Sequence, residues 1–188
     1  MAIDDGGDDW GVRNVLLGMV IPLPLQVIGQ GSRDGLVLLR RMFASFSQAI
    51  IVIGVVVIVL YNIASLGDND TGVEPIPAAA AVVLLSGMLL ILARVIPPPL
   101  DCSDPGTLAG CYRTRFFVRI ACSEMPALLG FVAFMLTNQP LLYVLGAAAT
   151  MIGFAHAAPT TRNLDRDQEE LNSRGCGTAL IPVLRGQM

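Results

Sequence analysis

Glu124 is the residue with the most chemical potential in this chain. It stands in FFVRIACSEMPALLGFVAFML, a run whose only other charge is Arg119. Counting from Phe116 at about 1.5 Å per residue puts it roughly 12 Å along a helix, and so well inside a membrane if the run spans one. A charge at such a depth costs at least ~2.5 kcal/mol, so the carboxyl must be paired, protonated or hydrated. Two chemistries follow. A neutral or paired acid locks helices together, whereas an acid that loads and releases a proton serves ion transfer. The residue types favour the first. Pro126, two residues on, removes a backbone hydrogen bond nearby and favours a kink.

Candidate partners come from the next turn. If the runs on either side of Thr137-Asn138-Gln139 form an antiparallel pair, reflection through that turn sets Glu124 opposite Gly153, Arg119 opposite Ala158 and His156 opposite Ala121. His156, the only histidine, then lies roughly one helical turn from both charges. Arg119, Glu124 and His156 are therefore the predicted intramembrane polar cluster. Two alternatives stand beside it. Arg119 can instead snorkel to the membrane surface, which the five-residue spacing from Glu124 favours. His156 can equally be an interfacial residue near the membrane exit.

Other reactive types are sparse. Cys102 and Cys111 have eight residues between them and no histidine nearby, so no metal site is expected. A stable disulfide is not expected either if their loop faces a reducing cytoplasm. Cys122 and Cys176 read as ordinary small residues. The chain has no Walker loop, no Gly-rich dinucleotide turn, no HExxH and no GxSxG. No catalytic residue, metal or cofactor is predicted, and an enzyme is the least favoured class.

The elements that must position these residues are membrane spans. Hydrophobic residues make up 54 % of the 188 and charged residues only 14 %, against roughly 25 % charged in a soluble domain. That is too little charge to cover a soluble protein. Four segments reach the ~20 apolar residues that a span requires: about Phe46–Leu66, Ala78–Ile96, Phe116–Leu136 and Pro140–Ala158. All twelve basic residues are Arg. With four spans assigned, every one falls on a single side, and the opposite loop carries Asp68, Asp70 and Glu74 instead. The positive-inside rule makes the Arg side cytoplasmic. Net charge is −3 without a basic block, so nucleic acid is not an expected partner.

Residues 1–45 read as a cytoplasmic and interfacial segment, 46–158 as the transmembrane domain and 159–188 as a cytoplasmic tail. The N-terminus carries Asp4, Asp5, Asp8 and Asp9 where a cleavable signal would be basic, so the whole chain is read as mature. Val15–Ile28 is apolar but short and broken by Pro22 and Pro24, which suits an interfacial position behind Trp10. The stretch GSRDGLVLLRRMFASF is expected as an interfacial helix leading into the first span. In the tail, Thr161 or Asn163 caps a helix that stops at Gly175 after Arg174. Its polarity predicts that it projects into the cytoplasm, with the apolar TALIPVL returning to the membrane or to a partner.

Small residues complete the pattern. Gly146 and Gly153 lie on one stripe of the fourth span with Ala149, Thr150 and Ala157. Gly130 lies on the third with Ser123 and Ala127. Such stripes let helices approach closely in lipid, first of all within the chain's own bundle. Gln48, Asn62 and Ser86 are expected to bond neighbouring helices.

The stretch TRFFVRIACSEMPALLGFVAFML resembles the ion-carrying helix of rotary ATP synthase c subunits, which also sets one carboxylate in mid-membrane. By that resemblance Glu124 would be the proton site. The chain departs from the pattern in having four spans, no glycine repeat in the first of them, and a long loop between the second and third. RFFVRIACSE, PALLGFV and PTTRNLDRDQEELNSRG are also similar to uncharacterised small four-span membrane proteins of GC-rich bacteria, a resemblance that implies the topology and no activity.

The expectation is an all-α membrane protein. It is a four-transmembrane-helix bundle of the bacterial inner membrane, with both termini cytoplasmic and short interfacial and cytoplasmic helices. The expected function is a non-catalytic accessory or structural subunit of a larger complex, such as a transporter or an energy-converting assembly. Its expected partners are the lipid bilayer and other membrane subunits. The alternative is a small proton- or ion-handling protein that uses Glu124.

Overall fold

The computed structural model describes residues 35–64, 73–97 and 99–186. The predicted interfacial segment at 15–28, Trp10 and the acidic residues Asp68 and Asp70 lie outside these residues. Among the described residues there are six helices and no strand: α1 (Gly35–Ala64), α2 (Pro75–Val95), α3 (Pro105–Thr137), α4 (Pro140–Ala157), α5 (Thr161–Ser173) and α6 (Leu180–Arg185). The first four are long and apolar enough to cross a membrane, so the chain has the form of a multi-pass membrane protein.

Two of the spans begin earlier than apolar content alone suggests. α1 has 30 residues and α3 has 33, which at 1.5 Å each exceed a ~30 Å hydrocarbon layer by several turns. The expected interfacial helix before the first span is, over its described part, the same continuous helix as the span. α3 starts at Pro105 because Asp104 caps it. The Asp104 carboxylate accepts from the backbone N–H groups of Gly106 (2.9 Å) and Thr107 (3.2 Å), and Pro105 supplies a pre-set first helical residue.

α3 and α4 form the centre of the fold. Asn138 joins them with φ 55°, a left-handed conformation that asparagine tolerates better than most residues. Along the pair the backbones nearly touch. A Cβ added to Gly146 would lie 2.2 Å from the Pro126 carbonyl oxygen, and one added to Gly130 would lie 2.6 Å from the Leu142 carbonyl oxygen. The contact is also hydrogen-bonded. The N–H of Ala127, just past Pro126, donates to the fully buried Thr150 hydroxyl at 3.0 Å.

α2 packs against both members of this hairpin, while α1 is held by one stripe. Leu36, Arg40, Phe43, Ser47 and Ile50 are buried at alternating four- and three-residue steps, and Val57 follows seven residues on, the period of a two-helix seam. Phe43 packs against Phe154 with ring centroids 5.4 Å apart and the rings tilted by 56°. Gly54 admits the Tyr143 ring, whose hydroxyl donates to the Ile50 carbonyl.

The tail does not project away from the bundle, as its polarity suggested, but folds back onto it. α5 turns its Leu164, Asp167 and Leu171 inward, and α6 buries Leu180, Val183 and Leu184. The apolar ones among these join Leu36, Leu39, Leu108 and Tyr112 in one core. The correction has a physical basis: Leu164 and Leu171 lie two turns apart, a narrow apolar stripe that gains by burial although the helix as a whole is polar. TALIPVL returns to this chain's own α1 and α3.

A disulfide, contrary to expectation, links Cys102 in the loop before α3 to Cys176 between α5 and α6, with Cα atoms 6.1 Å apart. Cys111 and Cys122 are free thiols.

Candidate functional site: a basic cavity at the Arg-rich end

Arg115 and Arg119 stand one turn apart on α3 and face α5, where Asp167 and Glu170 are three residues apart. Arg119 Nη1 reaches both Asp167 oxygens, at 2.9 and 3.2 Å, and its Nη2 reaches one of them at 3.2 Å. Arg115 grips Glu170 with both Nη atoms, one at 3.1 Å, and lies 3.7 Å from Asp167. Arg174 adds a 2.8 Å contact to Glu170. Asp167 is only 1 % exposed, so its charge is stable there only because two guanidiniums meet it. The hydrogen bond from Arg115 holds the Glu170 carboxyl below the usual carboxylate range.

α5 is fixed to the end of α4 by a second set of bonds. Asn163 Nδ2 donates to the carbonyls of Ala155 (3.1 Å) and Ala158 (2.8 Å), and Arg166 donates to that of His156 (3.4 Å). These satisfy carbonyls that α4's own ladder leaves open. Gln168 then holds the start of α6, accepting from Leu180 N–H at 2.6 Å.

Between α2, α3, α4 and α5 lies a half-open cavity of about 510 Å³. Arg94, Arg115, Arg119 and Arg166 line it, with Asp167, Glu170 and His156. Four guanidiniums against two carboxylates leave a formal charge of +2 with His156 neutral. His156 Nδ1 lies 2.8 Å from the Ile152 carbonyl oxygen, an acceptor to which this ring nitrogen donates. Among the described residues no three metal-ligating side chains come together.

The predicted polar cluster is therefore divided. Arg119 and His156 share the cavity wall, but Arg119 bonds Asp167 rather than Glu124. Glu124 is half-buried on α3, lies outside the cavity, and makes no hydrogen bond or ion pair with the described residues. Gly153 lies against Ser123 on the cavity wall, while Gly130 and Gly146 lie in the α3–α4 contact. Sequence reasoning missed Arg94, Arg115, Arg166, Asp167 and Glu170 as a group. One signal was available: an acidic residue, Asp167, sits within the only apolar stripe of the tail helix. No protein family, curated protein or solved structure matches the chain.

Proposed function

We propose that this chain is a non-catalytic accessory or structural subunit of a larger assembly in a bacterial inner membrane, such as a transporter or an energy-converting complex. In this reading the Arg-bearing ends of its spans and both termini face the cytoplasm, a direction that the one-sided distribution of Arg supports. The attachment of α1 supports an assembly role. One stripe of α1 contacts α3, α4 and α6, while Ile51, Val52, Val55, Ile58, Val59 and Ile63 remain 47–61 % exposed. Together they make a stiff, β-branched face suited to another membrane helix. Among the described residues the charged groups with partners mostly lock the tail to the bundle. Purification in mild detergent with mass measurement tests the proposal. Co-purifying membrane subunits are expected, and a lone stable monomer from native membranes would overturn it.

Glu124 favours a second reading, proton or ion handling, because its carboxyl has no partner among the described residues. Glu124→Gln keeps the shape of a neutral acid but cannot release a proton. A folded, assembled and inactive Gln variant would support this second function. Wild-type behaviour of Glu124→Gln in both assembly and ion flux would exclude it.

A further inference from the structure

We propose that the cavity between α2, α3, α4 and α5 binds a phosphate-bearing anion, supplied by the headgroup of an anionic lipid. The inference does not depend on the assembly role. Its volume, about 510 Å³, suits a small ligand. Its charge is the first argument. Arg115 and Arg119 are engaged by Asp167 and Glu170, but Arg94 and Arg166 line the same space without any carboxylate in ion-pair range. Guanidinium forks match phosphate oxygens, and two uncompensated ones call for one or two negative charges.

The second argument separates a lipid from a free anion. Each of the three spans that line the cavity sets a basic residue one helical turn above an uncharged one. Arg94 stands above Leu90 on α2, Arg119 above Ser123 on α3, and His156 above Ile152 on α4. The wall thus changes from two guanidiniums and an imidazole to uncharged side chains, two of them apolar, in the direction of the membrane interior, which suits a molecule with a phosphate head and a hydrocarbon body. Basic pockets between spans at the membrane surface take anionic headgroups for this reason.

The test uses the full-length protein in neutral detergent, titrated with phosphatidylglycerol, phosphatidylcholine or inorganic phosphate. Binding is read by intact-complex mass spectrometry and by the thermal unfolding midpoint. Arg94→Gln and Arg166→Gln remove exposed groups outside the ion-pair lock, so the fold should survive. Phosphatidylglycerol should stay bound and raise the midpoint, phosphatidylcholine should do neither, and the double variant should bind at least about tenfold more weakly. Equal response to the two lipids, or an unchanged double variant, would overturn the proposal. Inorganic phosphate alone matching phosphatidylglycerol would overturn the lipid assignment.

Discussion

Arg119 and Asp167 are 48 residues apart in sequence, yet they form a two-pronged ion pair with Asp167 wholly buried. The pair fixes where the tail lies. Removing only the acid leaves Arg119, one turn from Arg115 on the same helix, without its counter-charge, and breaking a buried pair in this way costs about 3 kcal/mol or more. Asp167→Ala should therefore lower the unfolding midpoint and open the tail to protease, whereas Glu169→Ala, at an exposed position of the same helix, should do neither. Equal protease resistance of the two variants would show that the pair does not hold the tail.

The neighbouring pair makes a pH prediction. Arg115 lowers the Glu170 pKa in the folded protein. The stabilising effect is thus fully present above the unfolded carboxyl value of about 4.3 and is lost as pH falls through the lowered folded value. Between pH 7 and 5 the unfolding midpoint should owe no change to Glu170, and the loss should begin below about pH 4. Glu170→Gln should flatten that acid limb. An acid limb of the same size in the Gln variant would assign it to other groups.

The α3–α4 contact predicts a steric effect. A Cβ at Gly146 would sit 2.2 Å from the Pro126 carbonyl, while one at Gly87 on α2 meets nothing within 4 Å. Gly146→Ala should destabilise by about 1–3 kcal/mol, and Gly87→Ala should be neutral or slightly stabilising. Denaturation in mixed micelles would compare them, and a neutral Gly146→Ala would mean that the hairpin can separate without loss.

The spans were legible in the sequence because about 20 apolar residues in a row have few other uses. The Thr161–Ser173 helix was legible too, through its polar start and Gly175, whose φ is +81°, although its N-cap is Thr160, whose hydroxyl accepts from the Asn163 N–H, rather than Thr161 or Asn163. The early start of α3 carried a signal in Asp104-Pro105, a cap followed by a proline at the first helical position, but charged residues before Phe116 hid it from a search for apolar runs. The fold-back of α5 was harder to read. Burial of Asp167 depends on Arg115 and Arg119, which come from a distant helix, and no local pattern encodes that pairing. The disulfide was missed because compartment was weighed above geometry, which only the docked tail supplies.

That disulfide and the Arg distribution together make a chemical prediction. If the Arg-rich side is cytoplasmic, Cys102 and Cys176 should be thiols in the cell and should join only on oxidation after lysis. Alkylation of intact cells followed by peptide mass analysis reads this directly. A Cys102–Cys176 bond already present in rapidly trapped cells would contradict the cytoplasmic orientation and favour the reverse one.

The central claim, that the free face of α1 meets another polypeptide, is tested most directly by photo-crosslinking in native membranes. A photoreactive residue placed singly at Val52, Val55 or Val59, all at least 50 % exposed, is compared with one at Val57, which is 2 % exposed. The account predicts adducts to one discrete partner protein from the three exposed positions and only intrachain products from Val57. Lipid adducts alone from all three exposed positions, with the chain running at its own 19.9 kDa, would contradict it.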